Sequence, residues 1–216
     1  MIRLKIISHR GSNVSNYKPN SKQALLTALS LEFIDGIEFD VRITKDKEIV
    51  IIHDPIINLV SDGSGIVKKM KYKKMLKYNF GTKEVPSKIC TLKELLDDID
   101  NNKIIIIELK EESNNYKQFV DIVYSIIKNY NLKIYIASFN YDLIKYFSTK
   151  YNKCGLIIGY GMNIKKIYNH FDYNILTYKY RNIYNKKEIF LWTINEKKED
   201  LKKYNIITDN PYLFKN

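Results

Sequence analysis

His9, Arg10, Glu38, Asp40, His53, Glu108 and Lys110 stand within or directly after apolar runs of this 216-residue sequence. Burying such groups is costly unless they are paired or hold something, so they are the residues whose chemistry matters first. In Ile37-Glu38-Phe39-Asp40-Val41 the two-residue period of a strand puts both carboxylates on one face. Side by side they repel, which a divalent cation between them relieves; salt bridges to Lys or Arg are the alternative. Four isoleucines, Ile104 to Ile107, lead into Glu108-Leu109-Lys110 and offer nothing that stabilises a carboxylate. Oxygen ligands from Glu38, Asp40 and Glu108 point to Mg²⁺ or Ca²⁺, while the flanking His9 and His53 leave Zn²⁺ or Mn²⁺ open. Arg10 and Lys110 beside such an ion make an anion site of the kind a phosphate ester needs for in-line displacement. Two imidazoles there can act as base and acid. Trp192, the one tryptophan, either walls a substrate pocket or fills a core.

These groups need strands to hold them. Short β-branched runs recur at Arg3–Ser8, Gly36–Val41, Glu48–His53, Lys103–Leu109, Lys133–Ser138, Gly155–Gly159, Ile175–Tyr178, Glu188–Ile194 and Asn205–Thr208. Amphipathic segments lie between most of them, at Ser21–Leu31, Ser113–Tyr130, Tyr141–Tyr151 and Asn195–Tyr204. With no Pro/Gly/Ser linker, the alternation predicts one α/β domain over 1–216, a small (β/α)8 TIM barrel. The link from Val41 to Ile49 is too short for a crossover helix, so those strands join directly and bring Glu38 and Asp40 near His53. Residues from about 55 to 92 read as an excursion from the barrel rim, with Lys68–Tyr78 an amphipathic surface helix or a docking patch for an anionic substrate or membrane.

Composition bounds the partners. The net charge is +12, but only four of the 36 cations are Arg and the lysines are spread along the chain, without a nucleic-acid-binding signature. No nucleic acid is expected, nor a transmembrane segment, although peripheral contact with an anionic membrane stays open. The N-terminal apolar stretch is interrupted by Lys5 and lacks signal-peptide features, and Cys90 and Cys154 form no metal or disulfide pattern. A cytoplasmic location with free thiols is the expectation. Oligomeric state is not readable from the chain.

The ordered set His9-Arg10-Gly11, Asn20-Ser21, Gly36 to Val41, Thr44-Lys45-Asp46, His53-Asp54, Thr91 to Leu96, Glu108-Leu109-Lys110, Ser138-Phe139, Trp192 to Asn195 and Ile207 to Pro211 resembles the glycerophosphodiester phosphodiesterase family across essentially the whole chain. The resemblance implies a TIM barrel of the phosphatidylinositol-phospholipase-C-like type that hydrolyses a glycerophosphodiester to sn-glycerol 3-phosphate and an alcohol with Mg²⁺ or Ca²⁺. It implies metal ligation by Glu38, Asp40 and Glu108, acid-base catalysis by His9 and His53, and phosphate contacts from Arg10 and Lys110. The alcohol is not indicated: a lipid head group such as choline, or a glycerophosphoryl-decorated glycan or polymer, fits equally. Three departures stand out: Pro19 where the family carries an acidic residue, Lys47 where a turn glycine is usual, and shortened loops after Phe139 that suggest a more open pocket. Pro19 leaves room for a barrel that binds a phosphodiester without cutting it. Phosphoinositide or sphingolipid head-group chemistry, ending at a cyclic phosphate, is a third reading.

Overall fold

The computed structural model of the chain describes residues 4–111, 115–162, 171–182 and 188–215. Nine strands run through them: β1 (Ile6–His9), β2 (Gly36–Ile43), β3 (Ile49–Ile51), β4 (Ile104–Leu109), β5 (Lys133–Ser138), β6 (Cys154–Ile158), β7 (Tyr173–Leu176), β8 (Glu188–Leu191) and β9 (Asn205–Thr208). Eight are parallel in the order β1-β9-β8-β7-β6-β5-β4-β2, and pairing of β2 back to β1 closes the barrel. The short link after Val41 is a hairpin, with β3 antiparallel to the end of β2 through Val41 to Ile51 and Ile43 to Ile49.

Strand alternation sorts the side chains. Ile37, Phe39, Val41, Ile105, Ile107 and Leu109 face outward into the large core shared with the helices. Ile104 and Ile106 face inward with Tyr135, Tyr173 and Phe190, whose rings pack edge to face with centroids 5.0–5.9 Å apart. Gly155 makes room for this plug: a Cβ there would lie 2.5 Å from the Tyr173 ring. Glu38, Asp40 and Glu108 continue the inward rows above the plug, toward the ends of β2 and β4.

Five helices are described, α1 (Lys22–Ser30), α2 (Tyr72–Met75), α3 (Leu92–Leu96), α4 (Lys117–Ile127) and α5 (Tyr141–Ser148). Ser21 caps α1 by accepting from the Ala24 N–H, Thr91 and Glu94 form a capping box on α3, and Asn140 caps α5. The expected start of α4 at Ser113 lies outside the described residues. Two helical expectations are corrected. Asn195–Tyr204 holds only a 3-10 turn over Glu199–Lys203, because Leu201 is its single buried anchor. Lys68–Tyr78 forms a 3-10 turn at Val67–Lys69 and then α2, not one surface helix. Its Val67, Met70 and Met75 instead fill a small separate core with Val50, Ile52 and Phe80. Cys90 and Cys154 are buried free thiols, pushed up to about 12 by burial. Among the described residues no helix is long and apolar enough to cross a membrane.

Candidate active site

All seven ionisable residues singled out in the sequence meet at the rim formed by the carboxyl ends of the strands. Glu38, Asp40 and Glu108 are buried, and one carboxylate oxygen from each lies within 4.8 Å of the others. The turn after β1 brings the first cation: Arg10 and Gly11 are both left-handed (φ 57° and 67°), and a Cβ on Gly11 would lie 2.6 Å from the Ala24 backbone. Only glycine fits that approach. Arg10 Nε then reaches Asp40 Oδ2 at 2.9 Å. Lys110 Nζ sits 2.5 Å from Glu108 Oε1 and 3.3 Å from Asp40 Oδ1. Asn20, also left-handed, donates from Nδ2 to Asp40 Oδ2 at 2.8 Å.

The three carboxyls are electrostatically unequal. Burial, then the charges of Asp40 and Glu108, push Glu38 well above its ordinary value. Burial and Asp40 push Glu108 up to about 7. Burial acts on Asp40 in the same direction, but Arg10, Lys110 and the Asn20 hydrogen bond outweigh it and hold Asp40 below the usual carboxylate range. Glu38 Oε2 has no hydrogen-bond partner, and Asp40 Oδ1 has only the Lys110 ammonium at 3.3 Å. An orphaned buried carboxylate oxygen, in a set of three hard ligands, fits a shared divalent cation.

Both histidines are anchored through Nδ1. His9 Nδ1 lies 2.6 Å from Asp209 Oδ1, and its Nε2 lies 3.6 Å from Glu38 Oε2. Asp209 is fixed in turn by Asn195 Nδ2, which donates to Oδ2 at 2.7 Å, and the backbone N–H of Asp209 donates to Asn195 Oδ1. His53 Nδ1 lies 3.0 Å from Asp54 Oδ1. Burial, with Arg10 and Lys110, outweighs the pull of Asp40 and holds the His53 imidazole below its ordinary value. Arg42 clips the two loops together: Nε donates to the His53 carbonyl at 2.7 Å and Nη1 to that of Lys110 at 3.2 Å. Trp192 is half-buried, resting on the interior plug and edge-on to Phe139 with centroids 5.5 Å apart. Lys110 Nζ lies 5.6 Å from the Phe139 ring. Trp192 thus caps the interior core, with Phe139 between it and Lys110.

Residue-type reasoning gave no role to Asp209, Asn195 or Arg42. Asp209 directly follows β9, His9 is the last residue of β1, and those strands pair; that was the available signal. Pro19 is exposed beside Asn20, and Lys47 occupies the left-handed region, φ 71°, as its place in a glycine turn demanded. Parts of the shortened later loops, residues 163–170 and 183–187, lie outside the described residues.

A family model described as the glycerophosphoryl diester phosphodiesterase family matches residues 9–172. The chain belongs to this family of phosphodiesterases. It is 31% identical, over 95% of its length and 94% of the relative's, to a glycerophosphodiester phosphodiesterase of Caldanaerobacter subterraneus subsp. tengcongensis. Among solved structures it resembles an Oleispira antarctica phosphodiesterase in complex with the product sn-glycerol-3-phosphate, with TM-score 0.82, 18% identity and coverage of 98% of this chain and 96% of that one. A glycerophosphodiester phosphodiesterase from Agrobacterium tumefaciens is similar, with TM-score 0.80, 19% identity and 98% of both chains covered. At those identities the two structures speak for the barrel alone.

Proposed function

We propose that this phosphodiesterase hydrolyses a glycerophosphodiester to sn-glycerol 3-phosphate and an alcohol, with a divalent cation and two histidines. The observation that carries the reading is the rim itself, where three buried carboxylates within 4.8 Å of one another lie between two imidazoles and two cations. Held by Glu38, Asp40 and Glu108, Mg²⁺ or Ca²⁺ would supply positive charge against the phosphate oxygens. Arg10 and Lys110 extend that field and orient the phosphate. His9, with Nδ1 turned to Asp209, presents Nε2 to the cluster and takes the proton of the glycerol hydroxyl beside the phosphate. That oxygen attacks phosphorus, the bond to the alcohol oxygen breaks, and His53 gives its proton to the departing oxygen. Water then opens the cyclic phosphate with the two histidines exchanging roles, leaving sn-glycerol 3-phosphate. Phe139 and Trp192 wall the Lys110 side of the site, and the glycerol half would lie against them. Buried unpaired thiols support a reducing, cytoplasmic setting.

The test is release of glycerol 3-phosphate from glycerophosphocholine and glycerophosphoglycerol with Mg²⁺, Ca²⁺ or EDTA. Product is expected only with metal, and Glu38→Ala should lower the rate by at least about a thousandfold, the scale of lost transition-state charge stabilisation. A rate that survives both EDTA and Glu38→Ala would sink the reading.

A further inference from the structure

Beside His53 a cavity of 220 Å³ opens between the N-terminal turn of α1, the end of β3 and the excursion. Its volume lies below the roughly 300–1,000 Å³ of ordinary ligand clefts and suits a compact group. Ile52, Leu59, Val60, Phe80 and Ile89 supply apolar walls, Lys18 and Lys88 bring two positive charges, and Arg10 reaches the lining from its pair with Asp40. Asp54 is the one carboxylate among the lining residues, and it is engaged with His53. Ser87 also lines the cavity; it is only 7% exposed, and its Oγ has no hydrogen-bond partner. A buried hydroxyl without a partner is costly unless a ligand supplies one.

We infer that this cavity holds the alcohol half of the diester and selects a hydroxylated, uncharged alcohol over a quaternary ammonium one. The inference rests on the phosphodiesterase reading above, because the cavity borders the histidine that protonates the departing oxygen. Ser87 Oγ pairs with a hydroxyl of a polyol and has nothing to pair with on a trimethylammonium group. Quaternary ammonium recognition calls for aromatic faces or free carboxylates. Phe80 is the only Phe, Tyr or Trp among the lining residues, and the surrounding charge is positive. Such a field disfavours a cation within a Debye length of about 10 Å at 0.1 M salt.

The experiment compares kcat/KM of the metal-loaded enzyme for glycerophosphoglycerol and glycerophosphocholine. Wild type is expected to favour glycerophosphoglycerol by about tenfold or more. Ser87→Ala should lower kcat/KM for glycerophosphoglycerol about fivefold, the scale of one neutral hydrogen bond, and leave glycerophosphocholine within about twofold. Lys18→Glu combined with Lys88→Glu, both changes away from the packed core, should raise kcat/KM for the zwitterionic glycerophosphocholine relative to the anionic glycerophosphoglycerol by about threefold or more, the latter losing rate as two positive charges are reversed. Equal use of the two substrates by wild type overturns the inference, as do variants that shift both substrates alike, while the phosphodiesterase reading stands. No glycerol 3-phosphate from either diester overturns both.

Discussion

His9 and His53 each turn Nδ1 to a carboxylate, Asp209 and Asp54, and so present Nε2 to the site. Their surroundings differ: His9 is almost buried against Glu38, whereas His53 borders the cavity assigned to the alcohol. In the proposed mechanism His9 would be the base and His53 the acid, and the two roles can be told apart by the leaving group. His53→Ala should cost about 10²–10⁴ in kcat on glycerophosphocholine, the usual worth of general acid catalysis, but far less on a glycerol diester whose leaving group is 4-nitrophenol, which departs without a proton. His9→Ala should impair both substrates equally. Parallel losses in the two variants would contradict the assignment. At this scale the carboxylates were legible because acidic residues inside runs apolar enough to be buried need a cation or a salt bridge to stay there. Asp209 was not, because it meets His9 from 200 positions away and only barrel closure joins them.

The β2–β3 hairpin delivers His53 to the carboxylates of β2, and its turn contains the strained Lys47. A Cβ in the left-handed region costs about 1–2 kcal/mol, offset in part by the freedom glycine adds to the unfolded chain. Lys47→Gly should therefore stabilise by about 0.5–1 kcal/mol and raise Tm by about 1–4 °C, read by thermal unfolding, with kcat/KM unchanged. The exposed Lys47 to Gln118 hydrogen bond it removes is worth little. Most strands were legible as short apolar runs, rich in isoleucine in β1, β3 and β4, bounded by polar residues. The excursion was not: Lys68–Tyr78 has helical spacing, but Val67, Met70 and Met75 are drawn into a core with Phe80 and Ile52 that breaks the helix into two short turns. Tertiary packing overrode local periodicity there.

Across the whole molecule, eight strands converge several like charges on one buried place, and folding must bear their repulsion. Glu108 titrates near 7 when folded, against an ordinary value of 4.5. The folded state thus holds this proton more tightly than the unfolded chain does. The stability that proton contributes is fully present below the unfolded value and is lost as pH rises through the folded one. Metal-free wild type should accordingly lose stability relative to Glu108→Gln between about pH 5 and 8, measured by thermal unfolding in EDTA. A difference that stays flat with pH would show that the carboxyl is not perturbed. The count of strands made a closed barrel legible, but not which residues would fill its floor. Tyr135, Tyr173 and Phe190 do so, ring against ring beneath the carboxylates. With its floor stoppered, the barrel is a blind well: whatever reaches the carboxylates must come and go by one doorway, the rim where Arg10 and Lys110 stand guard.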